Sequence, residues 1–131
     1  MTQGESSNRP SQSRAASFGY AFSGMWHVLR TQPNVRIHTL ATVCAVALGA
    51  WVGLSRVEWA ILALTIGFVW TAEFINTALE AVVDLASPDF HPLAKVGKDV
   101  SAAAVLVAAI TSVVVGLLIL GPPLWARLFG Q

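Results

Sequence analysis

Three long apolar stretches dominate this sequence. Residues 39–54 and 101–121 contain no charged side chain, and residues 57–83 are mainly apolar as far as Ala72. A helix needs about 20 residues, and no fewer than about 17, to cross a hydrocarbon layer about 30 Å thick. The pattern therefore predicts an all-α membrane protein with three transmembrane helices, the first of which borrows residues from its flanks.

The composition agrees with a membrane protein and excludes other classes. Of the 131 residues, 55% are hydrophobic and 11% are charged, and the mean hydropathy is +0.64. Soluble domains carry roughly 25% charged residues. The formal net charge of +1 offers no basic surface, so we expect no nucleic-acid partner. Cys44 is the single cysteine, which excludes a disulfide framework and a cysteine-based zinc site.

The N-terminal part of the chain is predicted to differ from the rest. Residues 1–16 are rich in Ser, Gln, Asn and Arg and have almost nothing to bury, so we expect a disordered cytoplasmic tail. In residues 17–31, apolar side chains recur on one helical stripe, which is typical of a helix lying at the membrane interface. Residues 17–131 would form one membrane domain.

We place the transmembrane helices at about 36–54, 57–85 and 97–121, from their apolar patterns. Pro122 and Pro123 are expected to stop the third helix, because proline lacks a backbone N–H. An excess of Lys and Arg marks the cytoplasmic side of a membrane protein. Here that side would carry Arg9, Arg14, Arg30, Arg36, Lys95 and Lys98, against Arg56 and Arg127 opposite. The N-terminus is therefore predicted to be cytoplasmic.

One face of the second predicted span is polar and carries Glu73, Asn76, Glu80 and Asp84. A central charge costs a transmembrane helix about 2.5–3.5 kcal/mol, so such residues usually have a function. Measured from Trp59, Glu73 would lie in the inner leaflet and Glu80 at its aqueous edge. Glu73 is a candidate general base for a lipid hydroxyl, and Glu80 is a candidate ligand of a phosphate-bearing divalent cation. The alternative is structural: these groups pair with one another and with Lys98.

Two further segments carry polar groups at the predicted cytoplasmic surface. Lys95 and Lys98 offer donors for a phosphate, and Asp99 can accept from a nucleotide amine or ribose hydroxyl. Cytoplasmic anchoring explains the lysines equally well. In the other segment, residues 32–38, we interpret His38 as an interfacial residue rather than a metal ligand, because no second His follows at i+4. His91, between prolines, is interpreted as a turn residue.

Several motifs then occur in order along the chain. They are GYAFSG at residues 19–24, NVRIH at 34–38, EFINTALEAVVD at 73–84, SP at 87–88, HPLAK at 91–95 and KD at 98–99. Over about residues 18–120 the chain resembles the small bacterial diacylglycerol kinase and undecaprenol kinase family. The RIH, NT, SP and HP elements look like the branch whose acceptor is undecaprenol, and diacylglycerol is the alternative acceptor.

The resemblance implies a homotrimeric lipid kinase of the bacterial inner membrane that uses ATP and Mg²⁺, with three transmembrane helices, an N-terminal surface helix and a cytoplasmic active site. By its motifs, Glu73 is the catalytic base, Glu80 is a magnesium ligand near the ATP phosphates, and Asn76 supports the site. The implied nucleotide contacts are Lys98, Asp99, Glu80, Tyr20, Asp89, Phe90, His91 and, by a looser match, Arg14. The implied supporting positions also include Asp84, Lys95 and Asn34.

This sequence departs from the family pattern at one position. The second metal-binding carboxylate of the family falls at Gln32, which is uncharged. The Gln32 carbonyl oxygen could bind the metal more weakly, or Glu80 could act together with water and phosphates, because magnesium often uses only one or two carboxylates.

Two hypotheses in which the protein has no enzymatic activity remain open on the sequence alone. A bundle could conduct or sense protons through Glu73 and Glu80 without using Lys98 and Asp99. A small assembly scaffold would need none of these groups. A polar face of this kind is also hard for one three-helix monomer to hide, which favours an oligomer.

Overall fold

The chain is all-α, as predicted. The computed structural model describes residues 14–130, which form four helices and no strand: α1 (Arg14–Thr31), α2 (Pro33–Val52), α3 (Arg56–Ala86) and α4 (Pro92–Phe129). The last three helices are long and apolar enough to cross a membrane. This confirms the three expected spans, with α1 ahead of them as the shorter N-terminal helix.

The start of α1 corrects one boundary. Residues 14–16 were expected to belong to a disordered tail, but they form the first turn of α1. The sequence Arg14-Ala15-Ala16 consists of strong helix formers, so the helix extends beyond the apolar stripe. The rest of the predicted tail, residues 1–13, lies outside the described residues.

Pro122 and Pro123 do not end α4, so that prediction is wrong. The helix continues through both prolines to Phe129. Proline removes a hydrogen-bond donor, and tertiary contacts beyond it must hold the helix together. Leu124 packs against the core, and the Arg127 guanidinium carbon lies 5.5 Å from the centre of the Trp51 ring.

The start of α4 also differs from the prediction, by five residues. The helix begins at Pro92 rather than at about residue 97. His91 is the N-cap, and its Nδ1 accepts a hydrogen bond from the backbone N–H of Leu93 at 3.2 Å. Pro92 follows at a position that tolerates proline, because the N–H there has no partner within the helix. The turn role expected for His91 therefore takes the form of a helix cap.

The turn between α2 and α3 is short because both helices are capped by their own residues. Gly53 ends α2 in the left-handed conformation (φ 80°), which glycine adopts without steric cost. Ser55 and Glu58 form a capping box at the start of α3: each side chain accepts from the other residue's backbone N–H. We call this end of the bundle the turn end, and the opposite end, at residues 87–91, the loop end.

The hydrophobic core lies near the turn end and joins all three long helices. Its buried members are Val52, Leu54, Leu62, Ile119 and Leu120. Many large apolar side chains elsewhere are exposed in the single chain, including Leu64, Phe68, Leu117 and Leu118. Exposed apolar surface on this scale is expected of helices that face lipid or other helices in a bilayer.

Gly49 generates a test of this packing. A β-carbon added at Gly49 would lie 2.9 Å from Leu54 Cδ1 and 3.2 Å from Trp59 Cη2. We expect Gly49→Val to lower the free energy of unfolding by about 1–3 kcal/mol through overpacking. The measurement is thermal or denaturant unfolding in detergent micelles. The matched control is Gly67→Val, because nothing lies within 4 Å of a β-carbon there. Equal stability of the two variants would contradict the packing described at the turn end.

Candidate active site

The most unusual side chain in the bundle is Glu73. It lies in the middle of α3, is only 1% exposed, and is one of the two largest fully buried side chains in the described chain. Its Oε2 atom is buried without a hydrogen-bond partner. Burying an unpaired carboxylate is costly, so such a group calls for a functional explanation.

A cavity opens in front of Glu73 between α2, α3 and α4. It has a volume of about 290 Å³, and we call it the carboxylate cavity. Helix α4 contributes only apolar residues, from Ala102 to Ala109, so the polar groups all come from the other side. These polar lining residues are Gln32, Asn34, His38, Glu73, Asn76 and Glu80.

Local helix geometry explains why these groups meet. Glu73, Asn76 and Glu80 follow one another at spacings of three and four residues, which places them on one face of α3. Gln32 stands between α1 and α2, where the chain turns: its N–H donates to the Val28 carbonyl, and its own carbonyl accepts from Val35. The corner between the two helices thus brings Gln32 to the α3 face.

Asn76 lies between the two glutamates along α3 and is hydrogen-bonded to Glu80. Its Nδ2 donates a 3.1 Å hydrogen bond to Glu80 Oε1, whereas its Oδ1 is buried without a partner. Together with Glu73 Oε2, the cavity therefore has two unpartnered acceptor oxygens. Such a site can receive a proton donor, such as a hydroxyl group, or a cation.

The cavity contains the type of ligand that a hard cation requires. Among residues 14–130, no three His, Cys, Asp or Glu side chains come close enough to form a metal cluster. The cavity instead combines the carboxylates of Glu73 and Glu80 with the amide oxygens of Gln32, Asn34 and Asn76. Magnesium takes oxygen ligands and keeps several positions for water and phosphate. These residues fit a magnesium ion held only partly by protein.

A second cavity of about 450 Å³ lies at the loop end, and we call it the loop cavity. It brings together most of the residues for which the resemblance implied nucleotide contacts. They are Asp89, Phe90, His91, Lys98 and Asp99, and the supporting positions Asp84 and Lys95 line the same cavity. The turn between α3 and α4 is shaped by Ser87, whose hydroxyl donates to the Asp89 carbonyl at 3.0 Å.

Both lysines of the loop cavity are paired. Lys98 Nζ lies 3.0 Å and 3.3 Å from the two carboxylate oxygens of Asp84 and so joins α3 to α4. Lys95 pairs with Asp99 one turn further along α4. The structural interpretation of the polar face therefore holds for Asp84, but it does not explain the buried Glu73.

Two of the implied nucleotide contacts lie outside both cavities. Arg14 and Tyr20 are exposed residues of α1, and Tyr20 is 64% exposed. The described chain thus assembles the implied site in two parts, a carboxylate cavity and a loop cavity, and leaves α1 outside them.

The sequence analysis missed the position of His38. It was interpreted as an interfacial residue, but the structure places it half-buried on the wall of the carboxylate cavity. Asn34 and His38 are separated by one helical turn on the same face of α2. That spacing was the available signal in the sequence. It does not indicate which side of α2 faces Glu73.

Comparison with known proteins shows the family to which the chain belongs. A model of the prokaryotic diacylglycerol kinase family matches residues 19–120. The chain is 44% identical over 108 residues to an undecaprenol kinase of Bacillus subtilis, a match that covers 82% of this chain and 88% of that protein.

Two diacylglycerol kinases are also similar. The relative from Synechocystis is 46% identical over 109 residues, which cover 82% of this chain and 62% of that longer protein. The relative from Escherichia coli is 30% identical over 96 residues, 73% of this chain and 79% of that protein. The match of the family model to most of the chain, together with these identities, shows that the chain belongs to the prokaryotic diacylglycerol kinase family.

Proposed function

We propose that this protein is an integral membrane kinase that transfers the γ-phosphate of ATP to the hydroxyl group of undecaprenol. The observation that carries the proposal is the buried Glu73, whose Oε2 has no partner and which borders a cavity inside a membrane helix bundle. A base below the headgroup region suits an alcohol that lies in the bilayer.

Glu73 is proposed to act as the catalytic base. The acceptor hydroxyl would donate its hydrogen bond to Glu73 Oε2 and transfer its proton there. The alcohol oxygen forms a new bond to the γ-phosphorus of ATP, the bond from that phosphorus to the bridging oxygen breaks, and ADP leaves. The neighbouring Asn76 holds Glu80 in place through its 3.1 Å hydrogen bond, which keeps the cavity groups in a fixed arrangement.

The loop cavity is proposed to hold the nucleotide. Along α3, Asp84 follows Glu80 by one helical turn, a rise of about 6 Å, so the loop cavity is the next space along the same face. Lys98 and Lys95 would each exchange a carboxylate partner for phosphate oxygens, while Asp99 becomes free to accept from the nucleoside. Asp89, Phe90 and His91 in the connecting loop would cover the nucleotide, with Tyr20 and Arg14 of α1 approaching from the side.

Glu80 and Gln32 are proposed to hold a magnesium ion, with Asn34 beside them. When bound, the ion would neutralise charge on the ATP phosphates. Gln32 supplies a neutral amide oxygen, so the protein contributes less negative charge to the metal than two carboxylates would. A lower affinity for magnesium follows from that difference.

The acceptor is proposed to be undecaprenol because the Bacillus subtilis relative is an undecaprenol kinase and matches over 88% of its length. The second candidate is diacylglycerol, which the name of the Synechocystis relative favours at 46% identity. Both acceptors present a single hydroxyl to Glu73, so the phosphoryl transfer is the same for either.

We further propose a homotrimer in the bacterial inner membrane with the loop end in the cytoplasm. The orientation rests on the excess of Lys and Arg at that end. The trimer rests on the family resemblance alone. In the structure, one chain buries Glu73 and Asn76 and half-buries Glu80, whereas Asp84 of the same polar face is exposed.

The acceptor can be tested by phosphate transfer from labelled ATP, with magnesium, to undecaprenol and to diacylglycerol in separate detergent micelles. We expect labelled undecaprenyl phosphate. Labelled phosphatidic acid alone would contradict the choice of acceptor, and the absence of product on either lipid, from folded protein, would contradict the kinase assignment.

Replacing the proposed base tests the mechanism. We expect Glu73→Gln to lower kcat by about 10²–10⁴-fold, the range for loss of general base catalysis, while the protein stays folded. The control is Glu58→Gln at the turn end, because glutamine can also complete the capping box. Equal activity of Glu73→Gln and the unchanged protein would contradict the assigned role.

Gln32 provides a test of the metal site. We expect Gln32→Glu to lower the magnesium concentration at half-maximal activity, because a carboxylate binds the ion more strongly than an amide oxygen does. The measurement is a magnesium titration of kinase activity at saturating ATP. An unchanged midpoint would show that residue 32 is not a metal ligand.

A further inference from the structure

A third cavity, apart from the carboxylate and loop cavities, lies between α2, α3 and α4. Its volume is about 200 Å³, and His38 lines both it and the carboxylate cavity. We call it the tail cavity. Its apolar lining includes Ala41, Ala45, Leu62, Ile66, Val69 and Gly116. For scale, an apolar cavity of about 150 Å³ is large enough to bind benzene.

The tail cavity continues the carboxylate cavity towards the turn end. On α2 the lining proceeds from His38 to Ala45, on α3 it proceeds from Glu73 back to Leu62, and on α4 it proceeds from Ala109 to Gly116. The residues of each helix recur at spacings of about three or four, so one face of every helix lines both spaces. From Glu73 to Leu62 the rise along α3 is about 16 Å.

The three hydroxyl groups on the wall of the tail cavity are already engaged. Thr65 donates to the Ile61 carbonyl at 2.8 Å, and Ser112 donates to the Ala109 carbonyl at 2.7 Å. Thr42 accepts from Trp70 Nε1 at 3.3 Å. Two of the three hydroxyls donate within their own helices and the third accepts from Trp70, so the wall offers mainly apolar contact and favours a hydrocarbon over a polar ligand.

We propose that the tail cavity binds the hydrocarbon chain of the acceptor next to its reacting hydroxyl, and that it selects an alcohol with a single unsubstituted chain. This inference rests on the proposed function, because it takes the hydroxyl to lie at Glu73. The chain then runs past His38 and along the inner faces of the three helices.

The chemistry of the chain explains the selection. In a prenol the hydrocarbon begins at the carbon that carries the hydroxyl, so only apolar atoms pass His38. In a 1,2-diacylglycerol, the carbon next to the hydroxyl-bearing carbon carries one ester group, and the carbon after that carries the other. Placing these esters against the mainly apolar wall would offer their oxygens few donors, which costs free energy.

Gly116 allows this cavity to be filled without disturbing the helix. Nothing lies within 4 Å of a β-carbon built at Gly116, so a side chain there would extend into the open space. We expect Gly116→Leu to reduce kcat/KM for long prenols about tenfold, as two or so methylene groups lose their burial. The activity on the shortest accepted prenol should stay within about twofold of the unchanged protein. The matched control is Gly121→Leu, on the same helix and equally open.

The decisive measurement is kcat/KM for a series of prenols of increasing chain length. In the unchanged protein and in Gly121→Leu, activity should rise with chain length, and in Gly116→Leu it should stop rising early. Ala41→Leu fills the cavity from α2, so its activity should also stop rising early with chain length. This variant tests the proposal if Gly116→Leu does not fold. Identical chain-length profiles for filled and unfilled proteins, or equal loss for all prenols, would overturn the proposal.

A binding experiment separates this inference from the proposed function. A prenol with a photoreactive group near its hydroxyl should label peptides that line the tail cavity in the unchanged protein, and Gly116→Leu should reduce that labelling. Labelling without any phosphate transfer would support binding of the chain in the tail cavity and refute the kinase assignment. Phosphate transfer without labelling in the cavity would support the kinase assignment and refute binding of the chain in the tail cavity.

Discussion

The structure depends on how the bundle accommodates one buried carboxylate. Glu73 is almost inaccessible within a helix long enough to span a bilayer, where an unpaired charge is among the most costly groups to bury. The bundle meets this cost by placing a cavity in front of the carboxylate and a row of polar groups beside it. The apolar face of α4 closes the other side. The same arrangement that tolerates Glu73 leaves unpartnered acceptor oxygens beside an open cavity.

The three cavities form a sequence along α3 that changes from charged to apolar. The loop cavity contains two ion pairs, the carboxylate cavity contains unpartnered acceptor oxygens, and the tail cavity is apolar. A phosphorylated nucleotide, a metal with its phosphates and a lipid chain prefer these surroundings in the same order. The order arises because one helix passes from the membrane surface into the hydrocarbon layer, so its face becomes less polar with depth.

The two ends of the bundle are held together by different interactions. At the turn end, caps at Gly53 and Ser55 and a buried apolar core hold the helices in register. At the loop end the helices are joined by the exposed pair of Asp84 and Lys98. Exposed ion pairs contribute little stability, typically up to about 1 kcal/mol. The loop end can therefore exchange its partners for a ligand while the turn end keeps the fold intact.

The sequence alone determined the class of fold, the three spans, the polar face of α3 and the family, because hydrophobic length and residue spacing are local properties that a membrane enforces strictly. It placed the start of α1 and both ends of α4 wrongly. At its C-terminal end α4 continues through Pro122 and Pro123, and beyond them Arg127 contacts Trp51, which is distant in the sequence. The sequence also led us to interpret His38 as a residue of the membrane interface. Only the tertiary structure decided that His38 faces Glu73, that one chain can bury Glu73 and Asn76, and that an apolar cavity continues beyond them. The rotation of each helix about its axis depends on packing between helices that are far apart in the sequence, which no local pattern specifies.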